Sequence, residues 1–260
     1  MSIKQSISFF HELEKNPEIK NIFYQYSTLT GLCQYEKLFN YIATIQNREN
    51  LNVLDWGCGN GWFSYYLIKA GFKKVTSYGY GWDSIDEAKK HIPEINYVNG
   101  AEVTLDNPSK IPFEDKSFDI VFSIGVLEHV HETGGDQLLS LFEINRILKP
   151  NGKFFCYHLP NKLTWIEFLK GLIVKDKAKY FLHTRKFDDN DVKSLSLKSN
   201  FNVISIKRYN VLPYNIFRKN VFDTAILAKA YSLLDNGLLL TPLNFLSQCY
   251  LYEAQKKSDT

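Results

Sequence analysis

From residue 51 onward, short apolar runs alternate with amphipathic stretches, the pattern of a parallel sheet covered by helices. The runs at 52–56, 74–79, 95–98, 118–123 and 152–158 read as five strands. Phe201 to Arg208 is rich in strand formers and reads as a sixth, after a helix from about Asp188, and Cys249 to Ala254 supplies a last strand. Before residue 51 the period is helical. Tyr35, Leu38, Phe39 and Ile42 form a stripe ahead of the polar turn Asn47 to Asn50, so residues 1–50 read as a helical cap on a domain spanning 51–260. After Pro160 the alternation lapses, and residues 161–186 read as a helical insertion or lid holding Trp165, Ile166, Phe168 and Leu169. Residues 216–236 resume a helical pattern. Ile226, Leu227, Leu233 and Leu234 are expected to pack on the core, while the amphipathic run from Phe222 to Leu240 also permits peripheral membrane contact.

Between the first strand and the helix that starts at Trp62 lies Val53-Leu54-Asp55-Trp56-Gly57-Cys58-Gly59-Asn60-Gly61. Three glycines at alternate positions remove the β-carbons that would most obstruct a close backbone approach. The helix start behind them is expected to offer unpaired N–H groups to a carboxylate or phosphate. The spacing is G-x-G-x-G with an acid two residues earlier, not the G-x-G-x-x-G of dinucleotide sites, which disfavours a nicotinamide dehydrogenase.

This string resembles motif I of class I S-adenosylmethionine (SAM) methyltransferases. Two further blocks carry the resemblance: Ile111-Pro112-Phe113 through Phe118-Asp119-Ile120-Val121 to Leu127-Glu128-His129-Val130, and Glu143 to Lys153. Together they cover roughly residues 50 to 160. The resemblance implies a doubly wound, Rossmann-like α/β sheet of seven strands in the order 3-2-1-4-5-7-6, with the last strand antiparallel. It implies SAM as cofactor, with Asp55 facing the methionyl ammonium and Gly57, Cys58, Gly59, Gly61 and Trp62 wrapping the ligand. It also places Ser123, Ile124 and Gly125 against cofactor and acceptor.

The second strand departs from the family. Where an acid usually accepts the two ribose hydroxyls, the best-matching position is Gly81. Trp82, with Tyr80, is then expected to pack on the adenosine. Asp83 is a candidate to reach across, although Asp83 or Ser84 also reads as a helix N-cap. Asp106 is the nearest match for an adenine contact, with Glu102 a competitor. His129 and His158 are the candidate bases, since both lie at the strand ends where a methyl acceptor would sit and a histidine titrates near neutrality. Trp165, His183 and Arg185 in the insertion are candidate acceptor contacts, and the basic stretch from Lys175 to Lys186 suits an anionic group.

Composition narrows the function. A hydrophobic fraction of 45% with 15% aromatic residues supports a sizeable core. A net charge of +3 and the run Ser123 to Val126, in place of the Asn-Pro-Pro-Tyr type motif of base-modifying relatives, argue against nucleic acid as substrate. Four cysteines without C-x-x-C spacing argue against a zinc site and fit a reducing compartment. The start has no apolar core for a signal peptide and no run is long enough for a membrane span, so a cytoplasmic location is expected. His158 to Trp165 resembles methyltransferases associated with bacterial surface-glycan biosynthesis. The expected activity is SAM-dependent O-methylation of a small polar or saccharide acceptor, phosphorylated or nucleotide-linked. The alternative is a methyltransferase-like binding or scaffold protein without turnover.

Overall fold

The computed structural model describes residues 3–23, 26, 28–80, 83–103, 107–173, 185–214 and 223–258. Its strands are β1 (Asn52–Trp56), β2 (Lys74–Gly79), β3 (Asn96–Asn99), β4 (Phe118–Ile124), β5 (Leu148–Pro160), β6 (Phe201–Tyr209) and β7 (Cys249–Lys256). They form one sheet in the order β3-β2-β1-β4-β5-β7-β6, as the family resemblance implied. The pairs from β3 to β5 are parallel, and β7 runs antiparallel to both β5 and β6. Strand order reverses between β1 and β4, where Trp56 is in register with Ser123. The carboxyl ends of β1 and β4 therefore open the crevice in which such sheets bind ligands.

Strand residues alternate between two faces, and both are covered, which is why the runs look almost continuously apolar. On one face Val53, Phe122, Phe155 and Tyr157 share a buried cluster with Phe9 and Leu13 of α1 (Lys4–Glu14) and with Leu38, Phe39 and Ile42 of α4 (Glu36–Thr44). Between these two helices lie α2 (Pro17–Ile22) and α3 (Leu29–Leu32). Trp62, Phe63 and Tyr66 of α5 (Trp62–Lys69) join the same cluster, with the Phe39 and Tyr66 rings stacked at 4.1 Å. Past α6 (Asp83–His91) and α7 (Gly100–Val103), α8 (Gln137–Ile147) covers the other face. Its Leu141, Ile144 and Ile147 pack there on Leu54, Val121 and Phe154.

The insertion begins with α9 (Trp165–Ile173), and its two ends are stapled together. Phe187 N donates to Pro160 O at 2.8 Å and Lys162 N to Phe187 O at 2.9 Å. Next comes α10 (Asp189–Lys198), whose N-cap Asp188 and Asp191 form a reciprocal capping box.

Two expectations change. β5 begins at Leu148 rather than near Gly152, because Leu148 pairs with Phe118 before a register shift brings Lys153 opposite Ile120. The late helix, α11, spans Ala225–Leu239 behind the N-cap Thr224, and it faces the other way from the expected one. Ala228, Ser232 and Asp235 are its buried residues, whereas Ile226, Leu233 and Leu234 are exposed at 83%, 59% and 58%. Hydrogen bonding explains the inversion: Asp235 Oδ1 accepts from Leu212 N, and Ser232 Oγ donates to Glu36 Oε2, so the inward face is held by polar contacts. Among the described residues no helix is long and apolar enough to cross a membrane.

Candidate active site

Asp55, the last residue but one of β1, is only 1% exposed. Ser64 Oγ donates to Asp55 Oδ2 at 2.6 Å, and Ser77 Oγ lies 2.6 Å from Ser64 Oγ. With its one proton given to Asp55, Ser64 accepts from Ser77, which makes a buried relay from β2 through α5 to β1. Burial pushes the Asp55 carboxyl up to about 7, while the Ser64 hydroxyl and main-chain N–H hold it down. The start of α5 is thus supplied with a carboxyl acceptor by the chain itself. Asn60 Oδ1 also accepts from Trp62 N at 3.3 Å. The expectation that this helix start offers its donors to a ligand is corrected accordingly.

The loop is anchored from below. Gly57 N and Cys58 N both donate to Tyr78 O, at 2.7 and 3.0 Å, and Asn60 Nδ2 donates to Ile22 O. Gly57 has φ +77°, and a Cβ there would lie 2.3 Å from Val126 Cγ2, so only glycine fits. Gly59 differs: at φ +53° a Cβ would meet no described atom within 4 Å apart from its chain neighbours. A closed turn with open space over its middle glycine is a cradle for close backbone approach, and it suits the methionyl part of SAM. Cys58 is buried and its thiol is pushed well up by burial, so it acts as wall rather than nucleophile.

On β2 the residue that faces this loop is Gly79. A Cβ on Gly79 would stand 3.4 Å from Cys58 Sγ and 3.6 Å from Cys58 N. Gly79 is thus packed on the loop, whereas Gly81 and Trp82 lie outside the described residues, as do Asp106 and His183. Asp83 opens α6, with its side chain, like that of Glu102, outside the described set. Tyr80 turns its hydroxyl to Pro108 O at 2.9 Å.

At the crevice's other wall, Ser123 is fully buried within the sheet, and Ile124 ends β4. Gly125 turns the chain at φ +71°, its N–H donating to Tyr157 O at 2.8 Å. His158 also has a left-handed φ, +65°, where the β5–β7 register slips between Cys156 and Leu159. Its main-chain N–H donates to Tyr209 Oη at 2.7 Å, and the same oxygen lies 2.9 Å from His158 Nδ1. Tyr209 thus ties the main chain and the ring of His158 together through one oxygen. A non-glycine residue held in this conformation is a cost of about 1 to 3 kcal/mol that functional sites often carry.

His129 Nδ1 lies 2.8 Å from Glu132 Oε1. Its neighbour Glu128, which sequence reasoning passed over, is 2% exposed with Oε2 unpartnered among the described residues. Trp165 gives its indole N–H to Val211 O at 2.8 Å and so anchors α9. Arg185 lies over the Phe187 ring at 5.7 Å, and Lys186 pairs with Glu167 at 2.6 Å. Aromatic rings from the first fifty residues close the near side: Tyr26 stacks on Trp62 at 4.2 Å, and Tyr35 meets His158 edge-on at 4.9 Å. A separate groove of about 400 Å³ lies at the opposite ends of the strands, where Lys149 and Lys153 are paired with Asp119 and Glu253. It holds none of the glycine-loop chemistry.

A glycine cradle beside the strand-order reversal defines an α/β protein built to bind a nucleotide-type cofactor. Residues 54–156 match the family described as Methyltransferase domain. The demethylmenaquinone methyltransferase of Staphylococcus haemolyticus is 30% identical over 218 residues, which cover 73% of this chain and 86% of that protein. The chain belongs to the class I SAM-dependent methyltransferase family, and its cofactor is SAM. A tRNA U34 carboxymethyltransferase of Nautilia profundicola is 30% identical over 120 residues, 44% of this chain but 36% of its own length. The chain thus spans about a third of that relative. A SAM-dependent methyltransferase structure from Mesorhizobium loti shares the fold with a TM-score of 0.58 at 17% identity, covering 86% of this chain and 98% of that one.

Proposed function

We propose that the chain transfers a methyl group from SAM to a hydroxyl of a small polar or saccharide acceptor, phosphorylated or nucleotide-linked, in surface-glycan biosynthesis. The observation that carries methyl transfer is the open space over Gly59 in a turn that is otherwise closed. When bound, SAM supplies a methyl carbon made electrophilic by its sulfonium. The residues from Gly57 to Gly61 hold the methionyl part, with Asp55 bearing on its ammonium through the buried relay. Gly125 and His158, on neighbouring strand ends, form the wall for the acceptor. Holding the two reactants in line is most of what such a transfer needs.

The polar wall supports a hydroxyl-bearing acceptor, and Arg185 supports an anionic group on it. The net charge of +3 favours a small acceptor over nucleic acid, although one relative's name specifies tRNA. Exposed apolar residues on α11 support peripheral membrane contact, and cysteine usage supports a cytoplasmic location. A glycine, Gly81, at the position that best matches the ribose-binding acid favours the second reading, a methyltransferase-like binding or scaffold protein without turnover. Labelled SAM incubated with a panel of nucleotide-linked sugars separates the two. Labelled sugar whose KM rises in the Arg185→Ala, Lys186→Ala double variant supports the first reading, whereas SAM binding with no labelled product favours the second.

A further inference from the structure

Glu128 lies in the turn after β4 with its side chain 2% exposed. Oε2 has no hydrogen-bond partner among the described residues. Oε1 is 3.9 Å from His129 Nε2 and 3.7 Å from where a Cβ on Gly125 would stand. That same point is 3.7 Å from His158 Cβ. The carboxyl thus stands behind Gly125, at the meeting of two left-handed residues on adjacent strand ends. Buried polar atoms are almost always satisfied, so an unsatisfied carboxyl oxygen at the acceptor wall calls for a partner from outside the chain.

We propose, building on the methyl-transfer reading, that Glu128 is the base that accepts the proton of the acceptor hydroxyl. An acceptor hydroxyl has a proton to give, and Glu128 Oε2 is a buried acceptor without a partner among the described residues. In the transfer the acceptor O–H bond breaks and its proton passes to Oε2. The oxygen's electron pair forms the new bond to the methyl carbon as the carbon–sulfur bond breaks, its pair remaining on sulfur in S-adenosylhomocysteine.

Burial pushes the Glu128 carboxyl up to about 8, its own main-chain N–H pulling it down and Glu132 pushing it further up. The other titratable groups that face it are His129 and His158, with the thiols of Cys156 on β5 and Cys249 on β7. A base titrating near the working pH is well matched to proton transfer.

The test uses the whole chain with SAM and two probe acceptors, phenol and catechol. Calorimetry with SAM comes first: no heat for the wild type would sink the methyl-transfer reading itself. With SAM bound, the wild type should methylate a probe at a rate that rises with pH and levels off above about 8. Glu128→Gln should lower kcat by about a hundredfold or more, flatten that pH profile and leave SAM affinity unchanged, with Glu128→Asp recovering part of the rate. Three results would overturn the proposal: kcat and pH profile unchanged in Glu128→Gln, loss of SAM binding or folding in that variant, or no methylation of either hydroxyl probe by SAM-loaded wild type.

Discussion

Asp55 Oδ2 and Ser64 Oγ stand 2.6 Å apart where solvent does not reach, so the acid of the glycine motif is also the acceptor at the start of α5. The same carboxylate is proposed to meet the cofactor's ammonium, which couples helix, loop and ligand through one ionisation.

That coupling predicts pH-linked binding. Between its ordinary value near 3.8 and about 7, Asp55 holds a proton in the folded chain that the unfolded chain has lost. Its contribution to stability is therefore full below about 3.8 and is lost as pH rises through about 7. A cationic ligand favours the ionised form, so SAM affinity should rise by up to about tenfold per pH unit until the midpoint is passed. Ser64→Ala should move that midpoint upward and cost about 1 to 3 kcal/mol of stability by stranding a buried acceptor. Calorimetry from pH 5.5 to 8.5 with thermal melts checks both.

A carboxylate restored at the end of β2 should tighten the cofactor. A Cβ at position 79 meets Cys58 at ordinary contact distance, so Gly79→Asp is tolerated sterically. A hydrogen bond to a charged group contributes about 1.5 to 3 kcal/mol, so SAM should bind about ten- to a hundredfold more tightly in this variant. Unchanged or weaker binding by calorimetry would mean that the ribose does not lie beside residue 79.

The inverted face of α11 makes a stability prediction. Leu233→Ser and Leu234→Ser should each change stability by no more than about 0.5 kcal/mol, because both side chains are exposed. Phe39→Ala should cost about 3 to 5 kcal/mol, since its ring is fully buried and stacked on Tyr66. Urea melts of the three variants distinguish these values.

The strands were legible because buried parallel strands are short apolar runs between turn residues, and β1, β2 and β4 fall within a residue of where those runs lie. The start of β5 was not, because Pro150-Asn151-Gly152 reads as a turn and the pairing that extends the strand crosses a register shift. The leucines of α11 show why periodicity has a limit. It locates an apolar stripe but not which side meets the protein, and here Ser232 and Asp235 found partners inside. In the site, Gly57, Gly59 and Gly61 were readable from spacing alone. The packing of Gly79 on Cys58 was not, since a contact between a strand end and a loop is a property of the folded chain. Glu128 was hidden beside a histidine whose chemistry is more conspicuous, and its burial is a property of the folded turn.

The most direct test of the SAM site is calorimetric titration of SAM into the wild type and into Gly59→Leu at pH 8. The left-handed position should cost the variant only about 1 to 2 kcal/mol, leaving it folded by circular dichroism. Its side chain fills the space over the loop. Saturable heat from the wild type and none from the folded variant is the predicted result. Equal binding by both, or no heat from the wild type at millimolar SAM, would contradict it.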